Sequence, residues 1–332
     1  YSAALDWRGD TWTIDALLGY SGAKKTLDYA NLKHVAYAPS RTRWTDRAGE
    51  TIPSASSNGF DMYDSPERYL FEAYETTLEH ISDDKYAAQV NVGKTLDLAF
   101  LPALRSIRFG ARHTDKSKER QYGEAKIGGP SAGNNSWVNT RTLADSQLQP
   151  IGSIVPGGAY TARDLDWQMV GNDYARDTFR YAGFSTPFDD AQYYRVDEQA
   201  TALYAMTDFA FDLGRVPVDI NAGVRWVDTS VTSFGYHPVQ NPDGSTGYTD
   251  TPVSMDGDYS DVLPSLNITA ELRDGLLLRA AASQTLIRPA MTDIAYKRTA
   301  SWSSYRFTDG NPALKPTYAD QWEVGLEQYL DN

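Results

Sequence analysis

The chain has 332 residues, a formal net charge of −13 at pH 7, no cysteine, 22 tyrosines and 8 tryptophans. Its length suits two soluble domains or one large β-architecture; the missing cysteines exclude a disulfide framework and thiolate metal sites, and the acidic balance argues against nucleic acid, whose phosphates require Lys and Arg. No stretch approaches the roughly 18 apolar residues of a spanning helix, although strands, with half their side chains facing water, escape that test.

In chain order the elements read as strands in which every other residue is apolar. Trp12, Ile14, Ala16, Leu18 and Tyr20 alternate with Thr13, Asp15 and Gly19. Over 24–79 the pattern is weakest, and an additional hairpin there would use 32–38 and 69–78 as its strands. Tyr86, Ala88, Val90, Val92, Leu96 and Leu98 alternate with Gln89, Asn91, Thr95 and Asp97. Beyond a turn near Pro102 the pattern continues as Ile107, Phe109 and Ala111 against Arg108 and Arg112. Leu203, Ala205, Phe209 and Phe211 run down to Gly214, Arg215, Val216 and Pro217; Val218, Ile220, Ala222, Val224 and Trp226 run away, opposed by Asp219, Asn221 and Arg225. Val262, Leu266, Ile268, Ala270 and Leu272 then face away from Leu263, Ser265, Asn267, Thr269 and Glu271. After Arg273, Asp274 and Gly275 the apolar set resumes as Leu276, Leu278, Ala280, Ala282 and Leu286.

Each hairpin closes tightly at one end, whereas the connections at the other end, 115–195, 230–258 and 287–317, are long. Turn residues place tip loops over 49–65, 128–139, 241–258 and 298–316. Short turns on one side, long loops on the other and strands of about ten residues form the pattern of an antiparallel transmembrane β-barrel. Backbone groups in lipid need internal partners, so such a sheet must close on itself. The rival is a soluble glycan-binding or glycan-cleaving β-protein whose apolar parity faces a core. In the rival, Phe109, Val224 and Leu266 are sealed in a dry centre.

Three stretches carry a family resemblance: Tyr259 to Asn267 (YSDVLPSLN), Ser283 to Pro289 (SQTLIRP), and Gly310 to Pro316 (GNPALKP) leading into Trp322 to Glu327 (WEVGLE). In that order and spacing they resemble the late barrel strands of TonB-dependent outer-membrane receptors. Residues 83–120, with GARHTDK from Gly110 to Lys116, resemble an earlier hairpin of the same family. The detailed pattern is most similar to the proteobacterial subfamily often associated with oligosaccharide uptake. The prolines and glycine of these motifs also have a purely structural use, since Pro289, Pro312 and Pro316 fix φ where the chain leaves the sheet and Gly310 tolerates turn conformations. Arg288, Lys315 and Glu323 are expected to pair at the rim.

The resemblance implies a Gram-negative cell outer membrane location and a barrel of about 22 strands around an N-terminal plug. It implies nutrient uptake coupled to the TonB complex through that plug, with outer-membrane lipid around the barrel and a small-molecule or oligosaccharide substrate within. Tyr1 lies inside an alternating strand and the chain stops after Leu326 where a tight turn is due, so 1–332 is expected to be one partial barrel domain, with plug and final strands outside it. No cofactor, metal or catalytic role is expected.

Sugar recognition needs flat aromatic faces beside groups that bond hydroxyls. Trp137, Tyr160, Arg163, Asp166, Trp167, Tyr174 and Tyr181 on one long connection supply that mixture, as do Trp302 and Tyr305 on another. A ferric-siderophore receptor of the same build is the alternative; the net negative charge leans the expectation toward a neutral sugar, because a like-charged vestibule repels an anionic chelate. Asp164 with Asp166, and Asp189 with Asp190, offer paired carboxylates, yet neighbouring loop acids are ordinarily solvated charges. His34, His80, His113 and His237 lack metal-ligand spacing, Asp256, Gly257 and Asp258 lack the fuller series of a calcium loop, and the Asn267, Ile268, Thr269 glycosylation pattern falls inside a strand.

Overall fold

The computed structural model describes residues 1–35, 41–47, 50–57, 60–61, 70–128, 148–149, 168–169 and 185–330, with side chains for 1–31, 73–126 and 185–330. The first half carries β1 (Ser2–Arg8), β2 (Trp12–Val35), β3 (Arg41–Arg47), β4 (Glu50–Ser57), β5 (Phe60–Asp61), β6 (Leu70–Thr95), β7 (Leu104–Gly128), β8 (Leu148–Gln149) and β9 (Gln168–Met169). The second half adds β10 (Tyr194–Leu213), β11 (Val216–Gly235), β12 (Pro238–Gln240), β13 (Thr246–Tyr248) and β14 (Val253–Arg273). It ends with β15 (Leu276–Ile287), β16 (Thr299–Ser301), β17 (Arg306–Thr308) and β18 (Thr317–Gln328). Nine of these make one sheet in the order β1-β2-β6-β7-β10-β11-β14-β15-β18, an antiparallel meander with β1 and β18 at its edges. Among the described residues no helix is long and apolar enough to cross a membrane, which says nothing of strands.

The chain divides into two compact units, one of 1–25, 80–121 and 190–332, the other of 26–79 and 122–189. The second holds the small sheet β3-β4-β5, the pair β8-β9 and the far ends of β2, β6 and β7. There Ala73 and Tyr74 are buried, the Thr76 and Thr186 hydroxyls are hydrogen bonded, and Lys126 pairs with Glu75 at 2.7 Å. The two strands expected over 32–38 and 69–78 lie, where described, on lengthened arms of β2 and β6 rather than on a hairpin of their own. Of the expected tip loops, 49–65 contains β4 and β5, 128–139 lies outside the described residues beyond Gly128, and 241–258 is cut short because β14 begins at Val253.

In the first unit the tight turns are set by glycine. Gly214 (φ 70°) and Gly275 (φ 69°) occupy the left-handed region that a short hairpin needs and that a side chain disfavours. From these turns the register puts apolar positions side by side. Phe109, Ala205, Val224 and Pro264 form one row across β7, β10, β11 and β14; Ile107, Thr207, Ala222, Leu266, Ala282 and Trp322 form the next, reaching β18. Phe109 is 45% exposed, Val224 46% and Leu266 39%. The apolar parity is therefore a surface and not a core, which removes the soluble reading, since a soluble protein rarely exposes an apolar patch beyond a few hundred Å².

Aromatic rings bound this apolar band. Toward the loops Tyr1 stacks on Tyr20, with centroids 6.5 Å apart, Tyr20 touches Tyr86 at 4.8 Å, and Trp226 ends the apolar run of β11. Toward the turns stand Trp12, capped by Lys94 at 4.3 Å, and the exposed Phe100. Between them β11 offers about ten residues, the length of a spanning strand. The opposite face is polar and bonded across strands: Asn221 Nδ2 donates to Asp208 Oδ1 at 2.6 Å, Ser106 to Asp208 Oδ2 at 2.5 Å, and Arg279 Nε to Glu327 at 3.0 Å.

Beyond Trp226 the two faces exchange character while the ladder continues unbroken. Asp228 and Ser230 are exposed on the side that was apolar, and Val227, Thr229, Val231 and Ser233 are buried on the side that was polar. On β14, Asp256, Asp258 and Ser260 are likewise exposed while Gly257 and Tyr259 are buried.

Candidate functional site

The connection from β15 to β18, residues 288–316, accounts for that burial by lying against the inner face. Met291, Ile294 and Ala295 join Tyr194, Val196 and Val231 in one apolar cluster. Burying a side chain the size of Ile294 contributes about 1.5–3 kcal/mol. The wall is shaped to receive this inner loop: a side chain on Gly235 would collide with the Tyr296 carbonyl, and one on Gly257 with the Pro312 carbonyl. Polar anchors complete the fit. Ser233 Oγ accepts the Tyr296 N–H at 2.6 Å, His237 Nδ1 and the Tyr296 hydroxyl are hydrogen bonded at 2.8 Å, and Lys297 Nζ donates to Gln192 at 3.0 Å. Lys315 Nζ donates to the Asp258 carbonyl at 2.7 Å.

Where this loop leaves β15, Arg288 faces a niche in the inner wall of about 180 Å³. The niche has a floor of small residues and a rim of long cations. Ala200 and Ala202, each 6% exposed, are consecutive inward positions of β10 and leave a depression between their neighbours. Register places Arg112, Thr114 and Lys116 of β7 on one flank, opposite Ala202, Ala200 and Glu198. Lys85 of β6 adds to that flank, and Arg225 and Arg288 line the other. Glu198, the one carboxylate in the lining, stands 4.0 Å from Arg288. Among the described residues Lys85, Arg112, Lys116 and Arg225 have neither an ion pair nor a hydrogen bond from their side chains. The Arg288 Nε–H is buried without an acceptor, although its Nη2 reaches Thr229 Oγ1 at 3.4 Å. The inner wall is thus locally basic in a chain of net charge −13, and the lean toward a neutral ligand drawn from net charge does not describe this part of it.

Of the residues expected to bind sugar, Trp137, Tyr160, Arg163, Asp166, Trp167, Tyr174 and Tyr181 lie outside the described residues. The other two are not in the niche. Trp302 is tied down, its indole N–H donating to Thr246 at 3.1 Å and its ring meeting Phe307 edge-on at 5.4 Å. Tyr305 is 90% exposed in a left-handed backbone conformation at φ 51°. Arg288, Lys315 and Glu323 do not pair with one another: the first turns to Glu198, the second to a backbone carbonyl, and Glu323 sits in mid-strand opposite Ala281. Asp189 and Asp190 are both exposed, and no metal-holding group of three His, Asp or Glu occurs among the described residues. A wider, shallower hollow of about 490 Å³, lined by Tyr1, Leu18, Tyr20 and Tyr86 among others, belongs to the apolar outer face.

Sequence reading singled out none of the niche as a binding site, although it set Arg112 and Arg225 on the polar parity. The missing signal was register, because residues from four strands and a loop meet only once the strands are aligned.

Residues 6–332 match the family described as TonB dependent receptor-like, beta-barrel. No curated protein matches the sequence. Among solved structures the chain is similar to the ferric-catecholate import receptor Fiu of E. coli K12 in its open form, at 11% identity and a TM-score of 0.40, covering 100% of this chain and 50% of that one. It is also similar to a double mutant of the Serratia marcescens hemophore receptor HasR in complex with its hemophore HasA and heme, at 11% identity and a TM-score of 0.24, covering 98% and 48%. The chain spans about half the length of these receptors.

Proposed function

Because this chain belongs to the TonB-dependent receptor β-barrel family, we propose that it is part of the wall of an outer-membrane receptor that takes up a scarce nutrient by coupling to TonB. The observation that carries this reading is the division of one sheet into an exposed apolar face between aromatic girdles and a polar, charged face opposite. The apolar face meets lipid; the polar face lines the passage around a plug supplied by sequence outside 1–332, through which the TonB complex acts. The chain binds and passes its ligand and performs no bond chemistry on it.

Two ligand classes suit such a passage, a ferric siderophore and an oligosaccharide. The inner wall favours the first by its charge. The second draws support from the Trp302 and Phe307 rings with exposed Tyr305 nearby in sequence, which offer faces on which a sugar ring stacks. Uptake of labelled iron chelates and labelled oligosaccharides by cells carrying the full-length receptor, with and without functional TonB, tests the reading. Uptake of one class that is abolished by loss of either receptor or TonB is expected; uptake of neither, or uptake indifferent to TonB, refutes it.

A further inference from the structure

We propose that the niche between β6, β7, β10, β11 and Arg288 is an anion subsite that takes a compact, multiply charged oxyanion group, of carboxylate or phosphate chemistry, presented by the transported ligand. The proposal rests on the reading above in one respect, that this face lines the passage.

Charge comes first. Five cations, Lys85, Arg112, Lys116, Arg225 and Arg288, converge on a space whose lining holds a single carboxylate, Glu198. Four of the five have no side-chain ion pair or hydrogen bond among the described residues, so within the lining their mutual repulsion is offset by Glu198 alone. An anion entering the niche relieves that repulsion and gains charge-assisted hydrogen bonds from guanidinium forks, which match carboxylate and phosphate geometry. The surrounding low-dielectric walls strengthen the attraction relative to open water.

Size comes second. At about 180 Å³ the niche is smaller than the roughly 300–1,000 Å³ of pockets that hold a whole drug-sized ligand. A compact carboxylate or phosphate group suits that size, and the rest of a larger ligand would extend along the wall outside it. Ala200 and Ala202 make this room, since a longer side chain at either place would fill the floor.

Position comes third. Arg288 is the one cation of the niche with a side-chain hydrogen bond or ion pair among the described residues, its Nη2 reaching Thr229 Oγ1 at 3.4 Å and its Nη1 lying 4.0 Å from Glu198, which sets it at the niche edge where the loop begins. Arg288 also opens the inner loop, so its occupancy bears on a segment already seated against the wall.

Citrate and inorganic phosphate serve as probes, titrated calorimetrically into the intact, detergent-solubilised receptor, with a neutral maltooligosaccharide for contrast. Saturable citrate binding that weakens as salt rises is expected, with phosphate weaker and the maltooligosaccharide not competing. Arg112→Gln and Arg225→Gln should each weaken citrate about 10- to 100-fold, the size of a lost charge-assisted hydrogen bond. Arg279→Gln, whose guanidinium is already paired with Glu327 nearer the turns, should leave citrate affinity unchanged. Heat-modifiable electrophoretic migration establishes that each variant is assembled. If the assembled receptor binds neither probe, or if the Arg112→Gln, Arg225→Gln double variant binds citrate as the parent does, the subsite is refuted. A receptor that binds citrate through these residues but shows no TonB-dependent uptake keeps the subsite and loses the transport reading; one that takes up a nutrient with no niche dependence does the reverse.

Discussion

Strand β11 below Trp226 and the same strand above it make the most instructive pair in the molecule. Both halves pair with the same neighbours in an unbroken register, and both alternate. Below, the outward side chains are Ile220, Ala222 and Val224, and the inward ones include Asp219 and Asn221. Above, Asp228 and Ser230 point outward, while Val227, Val231 and Ser233 are buried inward under the inner loop. The backbone does not distinguish the halves; the medium on each side does. Where the outside is hydrocarbon, the pattern is greasy outward, and where it is water, the protein folds a loop inward and makes a small core of its own.

The strongest way to break this comparison is to put charge on the outer face of the lower half. Ile268→Arg, at a lipid-facing position, should cost about 2–4 kcal/mol and abolish assembly of the full-length receptor in the outer membrane, read by heat-modifiable migration. Thr269→Asp, one residue on and inward beside Arg279, should change stability by no more than about 0.5 kcal/mol. Equal tolerance at 268 and 269 would end the assignment of faces.

Next in size is a pair of neighbours in the upper half. Ser233→Ala leaves the buried Tyr296 N–H without its acceptor and should cost about 1–3 kcal/mol, seen as faster proteolysis within 288–316. Thr232→Ala removes an exposed hydrogen bond to Asp256 and should cost no more than about 0.5 kcal/mol. If the exposed neighbour proves the more sensitive, the inner loop is not held as described.

The smallest effect is alkaline. Burial, with Asp309 assisting and Arg298 opposing, raises the Tyr296 phenol above its ordinary value. A group raised in the folded state contributes stability that is complete below its unfolded pKa and is lost as pH rises through the folded one. Protease sensitivity of the inner loop should therefore stay flat through neutral pH and increase only above about pH 10. A rise already present near neutrality would place the responsible group elsewhere.

Much of the lower half was legible because one physical rule governs it. Val262, Leu266, Ile268 and Ala270 had to share a face, and the turns at Gly214 and Gly275 had to be tight. The upper half was harder to read for a specific reason: at Val227 the apolar residues change parity, so Val224 and Trp226 no longer agree with Val227 and Val231, and the uniform alternation stops. For that reason a single alternation places the start of β14 near Tyr259, whereas the strand begins at Val253. The niche was illegible for another reason. Lys85, Arg112, Lys116, Arg225 and Arg288 span more than half of the chain, and only the pairing of Arg112 with Ala202 and of Tyr204 with Arg225 brings them to one depression. The aromatic group over 137–181, chosen from composition alone, lies outside the described residues.

The change of parity at Trp226 gives β11 a built-in depth gauge. Because residues 1–332 contain no thiol, a single engineered cysteine walked from Ala222 to Thr232 would be the sole maleimide target within them, and the first outward position to react on intact cells would mark the waterline of the membrane against this strand to within one pleat.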